Sequence, residues 1–218
     1  MQVVTIKKGV DLPISGGVVG NAIVDANSSE YALLADDFKY LKPKILVKEG
    51  DRVECGTPLL LDKNLSDLPH VSPISGTVSK IMRGEKRSFQ GILIERDMHD
   101  SNPWIVSDRS DIKATLINTG FWMGFISRPF GGVADSNLSP DAIFVTAIDT
   151  RPLAPSVDVA LEGRHDHFIA GVRTIAKLTE GNVFVCVAPD TTLPVIEEER
   201  IKTVGFSGAH PSGLAGTH

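Results

Sequence analysis

The sequence predicts an α+β and α/β chain of two domains: a β-rich sandwich over residues 1–102 and an open α/β domain over residues 103–218. Three observations support this prediction. Two stretches, at residues 46–59 and 72–81, share the same strand and turn punctuation. A polar, turn-rich stretch follows at residues 97–103. Beyond it, apolar runs of strand length alternate with helical periodicity, which is typical of an α/β sheet.

The β-rich part is predicted from turn formers that bracket short half-buried strands. In its first half, Gly50 and Gly56 flank Val53, and valines lie among polar residues. In its second half, Pro73 and Gly76 set a turn before the alternating run at residues 77–81. Two similar strand–turn–strand units indicate a pseudo-symmetric sandwich, which we expect to end with a strand near residues 91–95.

Helices and strands alternate in the second part. Ser107 is predicted to cap a helix with Ile112, Leu116 and Ile117 on one face, and Gly120 is predicted to end it. The continuous apolar run at residues 142–148 is typical of a buried strand in a parallel sheet. The remaining predicted elements are a helix over 166–178, a strand over 182–187, a short acidic helix at 197–200 and a strand over 202–206.

Composition excludes several classes of function. A net charge of -5, with basic residues concentrated only at residues 83–87, argues against nucleic-acid binding, and that cluster is interpreted as a polar loop rather than a phosphate site. No apolar run approaches the roughly 20 residues of a membrane span, and the amino terminus lacks the apolar core of a signal peptide. The cysteines, Cys55 and Cys186, are too few for an iron–sulfur cluster, and we expect Cys186 to be a core thiol.

Residues 46–59 and 72–78 resemble the biotinyl/lipoyl barrel-sandwich hybrid family, in which a lysine on an exposed hairpin carries a swinging cofactor. The sequence Asp62-Lys63-Asn64 is similar to the hairpin tip of lipoyl domains. The chain from Lys63 to Pro73 is about two residues longer than the lipoyl hairpin, and the biotin-type Met-Lys-Met is absent. Lys63 is therefore interpreted as a surface lysine in preference to a modification site.

A second resemblance spans the whole chain. The blocks at residues 6–16, 41–50, 83–87, 144–150 and 210–218 resemble, in order and spacing, the NqrA family of bacterial sodium-translocating NADH:quinone oxidoreductase subunits. This family is related to RnfC and to the flavin-binding subunit of complex I. Its members are about twice as long as this chain, so the sequence is identified as the amino-terminal portion of such a subunit, truncated within a larger α/β region.

The resemblance implies a peripheral subunit on the cytoplasmic face of the bacterial inner membrane, with a role in assembly of the complex. The whole complex is the enzyme, and NAD, FAD or FMN, iron–sulfur centres and ubiquinone are expected on the other subunits, which are the expected partners. This chain is expected to hold no redox cofactor, no metal and no catalytic residue. Flavin-binding relatives cradle phosphate in a glycine-rich loop, whereas residues 120–132 are bulky and aromatic. The loop at residues 149–154 retains one carboxylate of an acidic loop in the relatives.

Quinone binding is the most specific hypothesis from the resemblance. A quinone ring needs a flat apolar surface and a donor for its carbonyl oxygens, and the candidates are Phe121, Trp122, Phe125, Arg128 and Phe130. The favoured alternative is that these aromatics pack the α/β core beneath a loop. A different class of function, a stand-alone lipoyl/biotinyl-like carrier or protein-interaction module, also remains open.

Histidines provide two further candidates. His165 and His167 alternate at the start of a predicted helix and point to different sides, so metal binding is not favoured. His210 and His218 lie in a glycine-rich terminal loop, where they form either a ligand pocket or, as favoured, a structural turn.

Overall fold

The computed structural model describes residues 1–16, 18, 28–38, 41–98, 110–196 and 198–218. Its contacts divide the chain into two compact units. We call Met1–Val24 with Ser139–His218 the sheet unit, and Asp25–Leu138 the sandwich unit. The elements are β1 Gln2–Thr5, β2 Glu30–Leu34, β3 Pro43–Ile45, β4 Arg52–Val53, β5 Pro58–Asp62, β6 Leu65–Val71, β7 Gly76–Arg83, β8 Phe89–Arg96, α1 Ile112–Asn118, β9 Ala142–Ala147, α2 Val157–Ala160, α3 His165–Ile175, β10 Asn182–Val187 and β11 Ile201–Ser207.

The sandwich unit contains two antiparallel sheets, ordered β2-β8-β7-β4 and β3-β5-β6. Side chains from both sheets fill one core, which is nearly inaccessible to solvent: Val53, Leu59, Leu60, Val78, Ile92 and Ile94. Each such aliphatic side chain stabilises the fold by about 1.5–3 kcal/mol when fully buried. The predicted sandwich is therefore confirmed.

Backbone hydrogen bonds join the two predicted halves of the sandwich. Gly50 N donates to Val78 O over 2.8 Å, and Val78 N donates to Asp51 O over 2.9 Å. Gly50 has a φ of +90°, in the left-handed region that glycine adopts at little cost. The turn at residues 50–51 is therefore held directly against β7, and the shared punctuation of the two halves reflects this interlocking.

The sheet unit has one parallel sheet ordered β1-β11-β10-β9. Helix α3 covers one face, where its Val172 and the following Ala176 are buried with Val183, Val185 and Val187 of β10. The period of about four residues in α3 places its apolar side chains on one stripe, as the sequence predicts. The predicted strands over 142–148, 182–187 and 202–206 are all present, and all three are parallel.

Strand β1 joins this parallel sheet, although the sequence assigned the amino terminus to the β-rich part. Val4 pairs with Phe206, and the Thr5 hydroxyl lies 3.0 Å from the Ser207 hydroxyl. Val4 and Ile6 also pack against the buried cluster that contains Phe206. The apolar side chains of β1 thus gain a buried surface that lies about 200 residues away along the chain.

Several predicted boundaries differ from the structure. The predicted domain boundary at 102/103 and the predicted cap Ser107 lie outside the described residues. Asp111 caps α1 instead, since its carboxylate accepts a hydrogen bond from Ala114 N over 3.0 Å. The acidic stretch was predicted as a short helix, but among its described residues Glu198 forms an isolated bridge with Ile201. In the described part of the chain, no helix is long and apolar enough to cross a membrane.

Candidate functional site

The aromatic segment, residues 120–132, follows α1 within the sandwich unit. Gly120 ends the helix as predicted, with a φ of +73°, and a Cβ atom there would lie 2.8 Å from Val71 Cγ2. Both the left-handed backbone and the close approach to β6 therefore require glycine. The segment begins against the sandwich, so the expectation that its aromatics pack the α/β core is wrong.

Trp122 is the interior member of the aromatic segment. Its side chain is 5% exposed, and its indole Nε1–H donates to Ala134 O over 2.8 Å. Its ring packs against the half-buried ring of Phe125, with centroids 5.3 Å apart. Because the indole donor is already used, Trp122 supports the segment and cannot at the same time donate to a ligand.

The other three candidates lie at the surface. Phe121 is 65% exposed, Phe130 is 90% exposed, and Arg128 is exposed beside it in sequence. A tight loop holds Phe130, because Ser127 N donates to Gly132 O over 2.8 Å and Gly131 N donates to Ser127 O over 2.9 Å. The structure thus separates the five candidates into two supporting rings and three solvent-facing side chains.

Backbone N–H groups in the aromatic segment are engaged internally. Besides the two bonds of the tight loop, Phe125 N donates to Trp122 O over 3.0 Å and Ala134 N donates to Phe125 O over 2.8 Å. A phosphate cradle requires several N–H groups that are free to converge on the anion. These residues therefore do not fit a flavin or nicotinamide phosphate.

Loops at the carboxyl ends of β1, β9 and β11 meet in the sheet unit. Thr150 Oγ1 lies 3.1 Å from His210 Nδ1 and accepts a hydrogen bond from Gly213 N over 2.9 Å. His210 N donates to the Asp11 carboxylate over 2.8 Å. His210 therefore ties three loops together, which agrees with the structural-turn interpretation. The sequence analysis did not include Asp11, because the pairing of β1 with β11 is needed to bring it there.

Asp149 is the carboxylate retained in the loop after β9. The Arg151 side chain binds it through Nε, at 3.1 and 2.9 Å from the two carboxylate oxygens. These hydrogen bonds from Arg151 lower the pKa of Asp149, against a smaller opposing effect of burial. Asp149 is thus held ionised and paired, which is unsuitable for a general acid or base.

Lys63 lies where a carrier lysine would be. It is exposed and, with Asn64, forms the two-residue turn between β5 and β6. The register changes from Leu61 opposite Pro69 to Asp62 opposite Leu65, so the additional residues form an irregularity within β6. The hairpin tip therefore remains short despite the longer sequence.

The cysteines and the first histidine pair offer no reactive site. Cys186 is fully buried, and burial raises its pKa to about 11, so it remains a thiol at neutral pH. Burial also raises the pKa of Cys55, whose thiol contacts Pro73 O at 3.3 Å. Among the described residues, no group of three or more His, Cys, Asp or Glu side chains is arranged to hold a metal, and His165 and His167 belong to no such group.

Comparison with known families agrees with this architecture. Residues 4–97 match the model of the NqrA N-terminal barrel-sandwich hybrid domain, and residues 107–218 match that of the NqrA second alpha/beta domain. The chain belongs to the NqrA family. The family assignment and the fold class predicted from sequence are thus confirmed.

Individual members of the NqrA family are similar over nearly the whole chain. The chain is 40% identical to the NqrA protein of the Na(+)-translocating NADH-quinone reductase from Marinomonas sp. over 98% of its length, covering 49% of that protein. It is 38% identical to the protein of the same name from Rhodopirellula baltica, over 100% of its length and 50% of that protein. The chain therefore spans about half the length of the curated relatives that it matches.

Proposed function

We propose that this chain acts as part of the NqrA protein in a Na⁺-translocating NADH:quinone reductase. The observation that carries the proposal is the ordered match of both NqrA domain models, at residues 4–97 and 107–218. The relatives that match nearly the whole chain carry the name of this component. Similarity that runs through two consecutive domains supports a shared role more strongly than a single barrel motif would.

The proposed role is that of a peripheral subunit on the cytoplasmic face of the membrane, without a redox cofactor of its own. NADH oxidation, flavins, iron–sulfur centres and Na⁺ transfer then belong to partner subunits, and this chain contributes to assembly of the complex. The internally bonded amides of the aromatic segment support this division, since they do not fit a flavin or nicotinamide phosphate.

Genetic complementation tests the proposal. A bacterial strain that lacks its own gene for NqrA is supplied with the gene of the full-length protein that contains this chain. We expect Na⁺-stimulated NADH:quinone reductase activity to return in its membranes. A matched strain receives the same gene without residues 25–138, the sandwich unit, and we expect it to remain inactive. If the full-length protein accumulates at normal levels without restoring activity, the proposed function is wrong.

The proposal includes quinone contact at the surface of the aromatic segment. Phe121 and Phe130 present exposed apolar rings, and Arg128 supplies a cation that can donate to a carbonyl oxygen. Trp122 and Phe125 keep the loop in place from below. In this arrangement the quinone ring contacts the outer rings, and the indole N–H continues to bond Ala134.

Photolabelling with a quinone analogue tests this contact in the assembled complex. Phe130→Ala and Arg128→Gln are expected to reduce labelling of the NqrA protein several-fold, because each removes one of the two required chemistries. Phe144→Ala is the matched control, since this phenylalanine is 48% exposed in the sheet unit. Equal labelling of all three variants and of the wild type would exclude the aromatic segment as a quinone contact.

The position of Lys63 supports a second candidate function. Its exposure at a two-residue hairpin tip fits a lysine that carries a lipoyl or biotinyl group. The test is intact mass after expression with a lipoate or biotin ligase, with Lys63→Arg as the control. A mass increment that requires Lys63 would support the carrier function, whereas an unmodified chain would exclude it.

A further inference from the structure

The hairpin that joins β7 and β8 ends in the basic tip, residues 83–87, which carries Arg83, Lys86 and Arg87 with one carboxylate, Glu85. All four side chains are exposed. Lys80, on β7 of the same hairpin, is exposed as well. The hairpin thus concentrates four cations within eight residues of a chain whose net charge is -5.

The backbone presents these cations in a fixed conformation. Lys86 and Arg87 have φ angles of +53° and +62°, in the left-handed region that residues with a side chain rarely adopt. Gly84 N donates to Ser88 O over 2.8 Å, and Ser88 N donates to Glu85 O over 3.0 Å, which closes the loop. Unfavourable backbone conformations that are held in this way occur preferentially at functional positions.

Neighbouring groups leave the positive charge of the tip uncompensated. The ion pairs of the described residues are Arg52–Asp97, Arg151–Asp149 and Arg173–Glu198, and none of them includes the tip. Glu49 faces the hairpin from the adjacent turn, and its carboxylate accepts a hydrogen bond from Ile81 N over 2.8 Å. The side chains of Ser88 and Gln90 that flank Gly84 are neutral.

We propose that the basic tip binds the anionic surface of a lipid bilayer. A hairpin end is convex, and exposed cations on a convex tip suit an extended charged surface better than a small ligand, which needs a concave site. Clusters of four or more Lys and Arg side chains bind anionic lipids in this way. The choice of lipid over an acidic protein rests on the proposed function, which places this protein at a membrane.

Vesicle co-sedimentation of the full-length protein, without its partner subunits, tests the tip separately from membership of the reductase complex. The vesicles contain phosphatidylcholine with or without phosphatidylglycerol. We expect binding only to the anionic vesicles, and we expect it to weaken at high salt, where the screening length falls from about 10 Å at 0.1 M to about 3 Å at 1 M. Neutral exchange at the tip, in Arg83→Gln/Lys86→Gln/Arg87→Gln, is expected to lower the partition coefficient on the order of a hundredfold.

The matched control removes three other exposed cations of the sandwich unit, in Lys42→Gln/Lys44→Gln/Lys48→Gln. It changes the net charge equally and is expected to retain most of the binding. Equal losses in the two triple variants, or binding that does not need anionic lipid, would overturn the proposal. If the tip variant binds vesicles normally but fails to associate with partner subunits, an acidic protein surface replaces lipid as the partner. Failure of complementation with normal vesicle binding would instead reject the proposed function alone.

Discussion

The sandwich unit completes its core from one continuous stretch of chain, whereas the sheet unit needs a strand from the far end of the sequence. All strands of the sandwich lie between residues 30 and 96, and each pairs with strands from the same stretch. In the sheet unit, β11 lies between β10 and β1. Local turn chemistry therefore specifies the first unit, while the second depends on a contact that no local pattern encodes.

The two units also differ in how completely they bury their apolar side chains. The six principal core side chains of the sandwich are nearly inaccessible to solvent. In the sheet unit, α3 covers one face, but Phe144 on the other face stacks on Phe184 with centroids 5.0 Å apart and remains 48% exposed. We therefore expect core substitutions to cost more in the sandwich than on this face of the sheet.

The largest effect is expected from Leu60→Ala, because Leu60 is 0% exposed at the centre of the sandwich. Removal of a buried leucine side chain leaves a cavity and lowers the free energy of unfolding by about 2–5 kcal/mol. Urea unfolding followed by tryptophan fluorescence measures this change, since Trp122 is buried in the same unit. Phe144→Ala is the comparison, with an expected cost of about 1 kcal/mol or less. Similar costs for both variants would remove the contrast between the units.

A smaller effect, limited to the sheet unit, is expected from Ile6→Pro. Ile6 N donates to Ser207 O over 2.8 Å at the end of β1, and proline removes this donor. The carbonyl that loses its partner is expected to cost about 1–3 kcal/mol. Hydrogen exchange should become faster in β11 and remain unchanged in the sandwich strands.

The control for this strand is Ile6→Ala, which shortens the side chain but retains the N–H group. It is expected to accelerate exchange in β11 less than proline does. If proline leaves β11 protected, β1 does not stabilise the sheet, and the contrast between a local and a long-range unit fails.

The smallest effect is a pH dependence of the sandwich that arises from His70. Burial lowers the pKa of His70, against an opposing effect of the Asp62 carboxylate, and the ring meets Phe38 edge-on at 4.3 Å. A histidine whose pKa is lower in the folded state stabilises the fold fully above its unfolded pKa, about 6.5, and this stability is lost as the pH falls further. The unfolding midpoint should therefore decrease between about pH 7 and pH 5.

The His70→Gln variant is expected to have a smaller midpoint change over this range than the wild type. His167→Gln, which removes an exposed histidine of the sheet unit, is expected to behave as the wild type does. Parallel curves for His70→Gln and the wild type would show that His70 does not cause the pH dependence.

Sequence patterns predicted most of the regular elements for identifiable physical reasons. Glycines with positive φ, such as Gly50 and Gly120, are visible as punctuation because few other residues adopt those backbone angles. The apolar run over 182–187 was recognisable as a strand because both of its faces are covered. The membership of β1 in the parallel sheet was not predictable, because a four-residue strand has the same pattern in either sheet type.

The candidate site was predictable only as a set of residues, without their arrangement. Composition selected the aromatic segment, but the division into inner and outer side chains depends on the bond from Trp122 to Ala134 and on the loop that displays Phe130. Similarly, the contacts of His210 require Asp11 and Thr150, which come from loops far apart in the sequence. Tertiary contacts, which periodicity does not encode, determine these roles.

The most direct measurement is affinity isolation of the tagged full-length protein from gently solubilised membranes of its native host. The account predicts that partner subunits and Na⁺-stimulated NADH:quinone reductase activity are recovered together with the tag. A tagged Lys63→Arg variant should recover both to the same extent, because the proposed function does not use modification of this lysine. Recovery of the protein alone and without activity would contradict membership of the reductase complex and would favour the carrier function at Lys63.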